Sequence, residues 1–385
     1  MDIVRDTEHF PIRKNWTYLN NSGIAPMYGP AWQAGASFEW ERAENGQMAF
    51  GKFGPVPAGL RAAAAELLQT DAANLSFMKN TAEGLSTIAS GYPFEPGDEI
   101  ISYIHEYPSN HYPYVLQKDR GVILKLIPDR KIHSAQKEGM PGGFDLSDVE
   151  ALITKKTRMI AISHVQFTSG FACDLEAMGK LCKGHGIDLI VDGAQSMGCL
   201  PLYPEKWNIA AIAASGWKWM MGPVGTGILY TSPDFRSRIR QTMAGADLMK
   251  QGQDYLNHSW QPYDDGRRFE YSTSPVSLAI ALETCIRELH LASGIEAIRD
   301  YNWKLQDAFL EHLKNPQIIP VKIEAPHRSG ILSLVCPDPE KLCNRLKESG
   351  IIITHRGGYC RIAPHLYNTL EDVLRAAETM NGLSF

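Results

Sequence analysis

No run of apolar residues in this chain approaches the length that a membrane-crossing helix needs, so no membrane partner is expected. Basic runs are missing too: 38 Lys and Arg stand against 43 Asp and Glu, for a net charge of -5. A mildly acidic chain without a basic stripe offers little to a phosphate backbone, and no nucleic-acid partner is expected. Cysteine is sparse: there are seven, an odd number, with no Cys-x-x-Cys pair. That argues against a disulfide framework and a zinc ribbon, and no metal is expected. The opening stretch, Met1-Asp-Ile-Val-Arg-Asp-Thr-Glu-His9, is charged and lacks the apolar core of a secretory signal. The expected compartment is the cytoplasm. Internal repeats and low-complexity segments are also absent.

What is present is an ordinary globular composition, 44% apolar and 21% charged, over 385 residues. That length exceeds one ordinary core and predicts two domains. Leu75-Ser-Phe-Met78 reads as a strand that runs into a helix, with Asn80 or Thr81 as its cap. Strands over 97–102, 121–127, 158–165 and 187–191 alternate with helices over 145–154 and 175–185. This rhythm implies right-handed crossovers and an α/β domain with a mostly parallel sheet between helices. A helix is also expected over 30–50, and long helices end at about Leu291 and cover 295–313. Short strands over 316–323, 330–335 and 351–362, with helices over 338–348 and 369–380, then mark a smaller α+β unit. The expected division is a large domain over 15–285 and a small one over 286–385, with residues 1–30 packing near the latter and the active site.

The chemistry centres on Ala213-Ala-Ser-Gly-Trp-Lys-Trp-Met-Met-Gly-Pro-Val-Gly-Thr-Gly-Ile-Leu-Tyr230. Lys218 is its only cation and stands between two tryptophans at the mouth of an apolar strand. Burial lowers an ammonium's pKa, and the neutral amine can form a Schiff base with an aldehyde. That points to pyridoxal phosphate, which enzymes hold as an imine on one lysine. The competing reading is a structural lysine whose ammonium reaches water. Three other features bear on the choice. The helix opening at Thr81 offers free N–H groups to a phosphate, or is simply capped. Asp192 sits just past the carboxyl end of a strand, where open α/β sheets place ligands, or is an Asp-Gly turn. The loop His105-Glu-Tyr-Pro-Ser-Asn-His-Tyr-Pro-Tyr114 could stack on a planar ring or pack on itself. Gly222-Pro-Val-Gly-Thr-Gly227 is glycine-rich but lacks the ending of a nucleotide-binding P-loop.

Taken in order, these features resemble the fold-type I pyridoxal-phosphate enzymes, in particular the class V aminotransferase and cysteine desulfurase family. The resemblance runs from Tyr18 to about Glu378. It is carried by Asp192-Gly-Ala-Gln195, Ser215-Gly-Trp-Lys-Trp-Met-Met-Gly-Pro223, Arg268-Phe-Glu270 and Arg361-Ile-Ala-Pro-His-Leu-Tyr-Asn-Thr369. It implies that fold, with a seven-stranded-type sheet in the large domain, and a pyridoxal 5′-phosphate cofactor. Lys218 is then the Schiff-base lysine and carries the substrate Cα proton. Asp192 pairs with the pyridinium nitrogen, and Gln195 bonds the ring O3′. Thr81 and the Ala82 N–H hold the phosphate beside Ser215, with Thr273 of the partner subunit. The active site is thereby shared in a homodimer. Arg361 clamps the α-carboxylate of a small amino-acid substrate, with Asn20, Ser22 and Gly23 beside it.

Three positions depart from the desulfurase pattern. Tyr107 stands where desulfurases carry the ring-stacking histidine; it can stack but lacks that residue's acid/base role. Trp217 replaces the histidine before the lysine and can donate but not accept. Phe167 occupies the place of an asparagine, and Gln166 beside it is expected to turn away. A desulfurase also needs a nucleophilic cysteine on a loop before the carboxylate arginine. Here that segment is only His355-Arg-Gly-Gly-Tyr-Cys-Arg361, and strand alternation turns Cys360 away from the face of Arg361. The expected reaction is therefore transamination. A cysteine desulfurase, a β-lyase and an isopenicillin-N-epimerase-like enzyme are the alternatives, and a non-catalytic pyridoxal-phosphate regulatory module is the reading of another class.

Overall fold

The computed structural model describes residues 3–385. Its strands, in chain order, are β1 (Thr17–Tyr18), β2 (Leu75–Met78), β3 (Glu99–Tyr103), β4 (Ile123–Ile127), β5 (Thr157–Ser163), β6 (Asp188–Asp192), β7 (Ala211–Ser215), β8 (Gly227–Thr231), β9 (Ile319–Val321), β10 (Leu332–Val335), β11 (Ile351–Ile352), β12 (Thr354–Arg356) and β13 (Tyr359–Ile362). Seven of them form one sheet in the order β2-β8-β7-β6-β5-β3-β4. Neighbours from β4 to β7 are parallel, whereas β8 runs antiparallel to both β7 and β2. Helices cover both faces, so β3, β7 and β8 are buried along their whole length and read as near-continuous apolar runs. The reversal of β8 follows from its connection. Residues 216–226 hold no crossover helix, so the chain can only return as a wide hairpin. Lys218 rides on that hairpin.

Several local expectations shift. The helix expected over 30–50 is two, Gly29–Asn45 and Met48–Phe53, because Gly46 takes a φ of 56° and ends the first. The helix over 145–154 shrinks to Leu146–Glu150. The helix towards Leu291 starts at Val276 and closes with a π-helical segment, Ile286–Leu291.

A second, antiparallel sheet has the order β12-β13-β10-β9. The helices Ile295–His312, Pro339–Glu348 and Leu370–Asn381 accompany it around a core that includes Leu305, Phe309, Leu334, Leu346, Ile362 and Val373. Leu19 belongs to this core, and β1 pairs in parallel with β11. The N-terminal strand is therefore anchored in the C-terminal unit. It continues towards the lysine turn, where the Ala25 N–H donates to Trp217 O at 3.0 Å and the Tyr28 N–H to Met221 O at 3.3 Å. We retain the division into 15–285 and 286–385 as a proposal, with residues 17–19 packed on the smaller unit.

Close backbone approach fixes the helix behind β6. A Cβ on Gly179 would stand 1.7 Å from Trp207 O, in the Leu175–His185 helix. Gly179→Ala is expected to lower stability by about 1–3 kcal/mol through overpacking. Urea unfolding checks this, and an unchanged midpoint would mean that the helix stands farther from Trp207.

Candidate active site

The site begins where β7 ends. Past Ser215 the Gly216 N–H donates to Thr226 O and the Gly222 N–H returns to Gly216 O, both at 2.8 Å. A Cβ on Gly216 would lie 2.2 Å from Thr226 Oγ1, so no larger residue fits there. Met221, at a φ of 57°, closes the turn by donating its N–H to Lys218 O. Trp219 is fully buried and pins the turn. Its indole N–H donates to Gln195 Oε1 at 3.0 Å, and Gln195 Nε2 donates to Ser22 O at 2.8 Å. Its carbonyl meets His365 Nε2 at 2.7 Å and His290 Nε2 at 2.9 Å. Gly330 lies against the indole: a Cβ there would be 2.7 Å from the ring.

Lys218 keeps partial solvent exposure as a residue, but its amine is enclosed, 5.4 Å from the centre of the Tyr107 ring. Desolvation lowers its pKa; Asp192 opposes that and Arg361 adds to it. Asp192 closes β6 and is buried. Desolvation raises its carboxyl, against the pull of Lys218 and a hydrogen bond from the Ala194 N–H at 2.8 Å. For both groups burial outweighs their mutual attraction.

On one side of this pair the Thr81–Gly91 helix opens towards the strand ends. Asn80 is its cap, with the side chain accepting from the Glu83 N–H at 2.8 Å. Thr81 Oγ1 lies 2.7 Å from Ser215 Oγ, which also accepts from the Thr81 N–H at 3.3 Å. The Ala82 N–H, two hydroxyls and the helix dipole thus face one spot, an arrangement suited to a phosphate. Tyr107 is 43% exposed and meets Phe167 edge-on, with centroids 5.1 Å apart. Trp217 is half-buried beside the lysine.

On the other side Arg361 projects from β13 and is buried. Its Nη1 donates to Phe167 O, and its Nε has no partner among the described residues. Desolvation, with Arg356 nearby, lowers its pKa to about 10. Asn20 Oδ1, Ser22 Oγ, Gln166 Oε1 and Thr168 Oγ1 are likewise buried without partners. Buried polar atoms are ordinarily paired, so orphans on the segments flanking Arg361 point to a ligand. Gly23 is held close to Asn20: a Cβ on it would meet Asn20 Oδ1 at 2.7 Å.

The structure therefore gathers Lys218 with Asp192 and Tyr107, Thr81 with Ser215, and Gln195 with Ser22. Thr273 stands apart, exposed and without a hydrogen bond to these residues. Cys360 is fully buried, as alternation predicts. Gln166 turns its Nε2 to Glu106 Oε1, at 3.0 Å. The Arg13 guanidinium donates to Tyr367 O and Asp372. His164 is buried, and desolvation lowers its pKa to about 3. Sequence reasoning passed over Trp219, His290, His365 and Glu106. Glu106 accepts from the Ser163 N–H at 2.8 Å, and burial pushes its pKa up to about 7. Its one signal was its place directly before Tyr107.

The family model for class-V aminotransferases matches residues 45–380. A probable cysteine desulfurase of Methanothermobacter thermautotrophicus is 24% identical over 100% of this chain and 98% of its own. One from Pyrococcus abyssi is 28% identical, covering 81% and 79%. An uncharacterized aminotransferase of Schizosaccharomyces pombe is 24% identical, covering 80% and 76%. Among solved structures, the cystine C-S lyase C-DES in complex with its reaction product cysteine persulfide superposes with a TM-score of 0.86. It is 23% identical, with 97% of this chain and 99% of that one covered. A cysteine desulfurase from Thermococcus onnurineus reaches a TM-score of 0.83 at 24% identity, with 99% and 98% covered. With its sheet, lysine hairpin and matched span, the chain belongs to the class-V aminotransferase family of pyridoxal-phosphate enzymes.

Proposed function

We propose that this enzyme cleaves the Cβ–S bond of a cysteine-type amino acid by β-elimination, releasing the sulfur in a small-molecule product. The sequence alone favoured transamination. The names carried by several relatives, and the lyase among the structural neighbours, favour the sulfur alternative. One observation separates a lyase from a desulfurase. Gly357 and Gly358, both at positive φ, close a tight β12–β13 turn, and Cys360 points into the small-domain core away from Arg361. All seven cysteines are free, and six are buried. A desulfurase needs a protein thiolate to attack the substrate sulfur, whereas elimination needs only a good leaving group. A disulfide-bonded amino acid such as cystine supplies one, because a persulfide anion is weakly basic.

The residues fit the cofactor: the cradle of Thr81, the Ala82 N–H and Ser215 suits its phosphate, Asp192 its pyridinium nitrogen, and Tyr107 one ring face. Trp217 would border its phosphate and Gln195 its ring oxygen. When bound, pyridoxal phosphate supplies an imine link to the substrate amine and an electron sink next to Cα. Arg361 grips the α-carboxylate through its guanidinium fork, aided by Asn20, Ser22 and Gly23. The Lys218 amine, its pKa lowered by desolvation, takes the Cα proton as a general base. The Cβ–S bond then breaks with its electron pair on the departing sulfur. Asp192 would be held anionic by a cationic ring nitrogen, which would offset its own burial.

We read the working form as a homodimer. Ile24, Trp32, Trp40, Val224, Leu256 and Trp260 are exposed apolar residues that a second copy could cover. Thr273 is free to reach the phosphate cradle of the other copy. Among the described residues no helix is long and apolar enough to cross a membrane. The unpaired thiols support a reducing compartment, hence the cytoplasm.

Lys218→Ala is expected to abolish the visible band of the bound cofactor and to cut turnover by about 10²–10⁴-fold; retained turnover would remove the lysine from the mechanism. Arg361→Ala is expected to raise KM by roughly 10–100-fold, the loss of a charge-assisted pair, with the cofactor still bound. Loss of the cofactor instead would show its role misassigned. The reaction itself is tested by supplying L-cystine to the holoenzyme. Catalytic pyruvate, ammonia and persulfide are expected, unchanged in Cys360→Ser. One equivalent of keto acid per subunit, with turnover resuming only when a second keto acid is added, would mean an aminotransferase.

A further inference from the structure

Three thiols meet in the small-domain core, on the side of β13 opposite the active site. Cys336 follows β10, Cys343 lies on the Pro339–Glu348 helix, and Cys360 is on β13. The Cys360 sulfur is 3.9 Å from that of Cys336 and 4.0 Å from that of Cys343, and it donates its S–H to Pro339 O at 3.3 Å. No set of three side chains suited to a metal occurs among the described residues. The cluster is thus placed for thiol chemistry rather than coordination. Of the seven cysteines only Cys343 is partly exposed. It is the door by which a small oxidant enters, and Cys360 is the neighbour within reach.

We propose that Cys343 and Cys360 are a site of reversible oxidation by hydroperoxides, forming a disulfide that ties the Pro339–Glu348 helix to the strand bearing Arg361. The Cys343 thiolate attacks the terminal oxygen of the hydroperoxide and the O–O bond breaks. The departing alkoxide or hydroxide takes up the proton that Cys343 gave up and leaves as an alcohol or water, reduced by two electrons, and Cys343 is oxidised to the sulfenic acid. The Cys360 sulfur then attacks the Cys343 sulfur. The S–S bond forms as the S–O bond breaks, and hydroxide leaves with the Cys360 proton as water. The hydrogen-bond order supports these roles. Cys343 meets solvent, whereas the Cys360 thiol is buried and keeps its proton on Pro339 O. Cys343 is therefore the better thiolate, and Cys360 arrives with the proton that the leaving group needs.

The link also has a mechanical side. Disulfide sulfurs stand about 2 Å apart, so the pair must close by half its present separation. Cys360 lies opposite Leu334 and its neighbour Arg361 opposite Ser333, so a shift of β13 is passed directly to the guanidinium.

The test treats the full-length holoenzyme with hydrogen peroxide, alkylates it under denaturing conditions and maps its peptides by mass spectrometry. Two of the seven thiols are expected to resist alkylation, with Cys343 and Cys360 in one linked peptide pair that dithiothreitol releases. Cys336→Ser should still form the link; Cys343→Ser and Cys343→Ala should not. The amino-acid concentration that half-saturates the change in the cofactor's visible band should rise severalfold on oxidation and recover on reduction. It should stay constant in Cys343→Ser. Seven alkylated thiols, a link through Cys336, or sulfinic acid at Cys343 without a link would each overturn the proposal. An established link without the rise would overturn its coupling to Arg361.

Discussion

An amine kept from water at the mouth of a β-sheet is the constraint on which the rest of this molecule depends. A solvated lysine would be protonated and free to swing. Here the turn that carries Lys218 is gripped from both units. Trp219 is clamped by Gln195 from the β6 end, by His365 from beyond β13, and by His290 from the π-helical segment. The N-terminal segment adds backbone bonds from Ala25 and Tyr28. Four parts of the chain, far apart in sequence, are thereby fastened to Trp217, Trp219 and Met221, the residues that flank Lys218.

The groups with charge work to perform come from different elements but share one geometric origin. β6 and β7 end side by side, so Asp192 and Ser215 stand at the same edge of the sheet. The helix after β2 opens at that edge because β2 pairs with β8, and β8 returns from the lysine hairpin. Arg361 approaches from the second sheet, with its guanidinium against the backbone that follows β5. Each charge is set by a rigid element, and the apolar walls of Tyr107 and Phe167 lie between them. Burial weakens the ionised forms of Lys218, Asp192 and Arg361 alike. Such a trio is best settled when a zwitterionic amino acid and a charged cofactor complete it.

What the sequence disclosed was local. The lysine between two tryptophans, the aspartate past a strand, the Asn80 cap and the alternation that turns Cys360 from Arg361 are all read from neighbours along the chain. So was the strand–helix rhythm, since parallel strands buried on both faces are nearly all apolar. What stayed hidden depends on distance through space. His290 and His365 look like ordinary helix and loop histidines until both are found on one carbonyl. Cys336, Cys343 and Cys360 show no ligand spacing, and only the fold brings their sulfurs together. The split of the first long helix at Gly46 turned on a single φ that the surrounding polar residues did not announce.

The clamp on Trp219 has a consequence in proton counting. Burial disfavours the charged forms of His290 and His365, so each ring carries one N–H. Asn302 Nδ2 faces His365 Nδ1 at 3.5 Å, which leaves the proton on Nε2 for the Trp219 carbonyl. His290 stands between two acceptors, Cys285 O at 3.1 Å and Trp219 O at 2.9 Å, with one proton for both. Its two tautomers are thus near rivals, each satisfying one carbonyl and setting a lone pair against the other. Exchange between them alters the electron density on the peptide next to Lys218 without displacing a heavy atom.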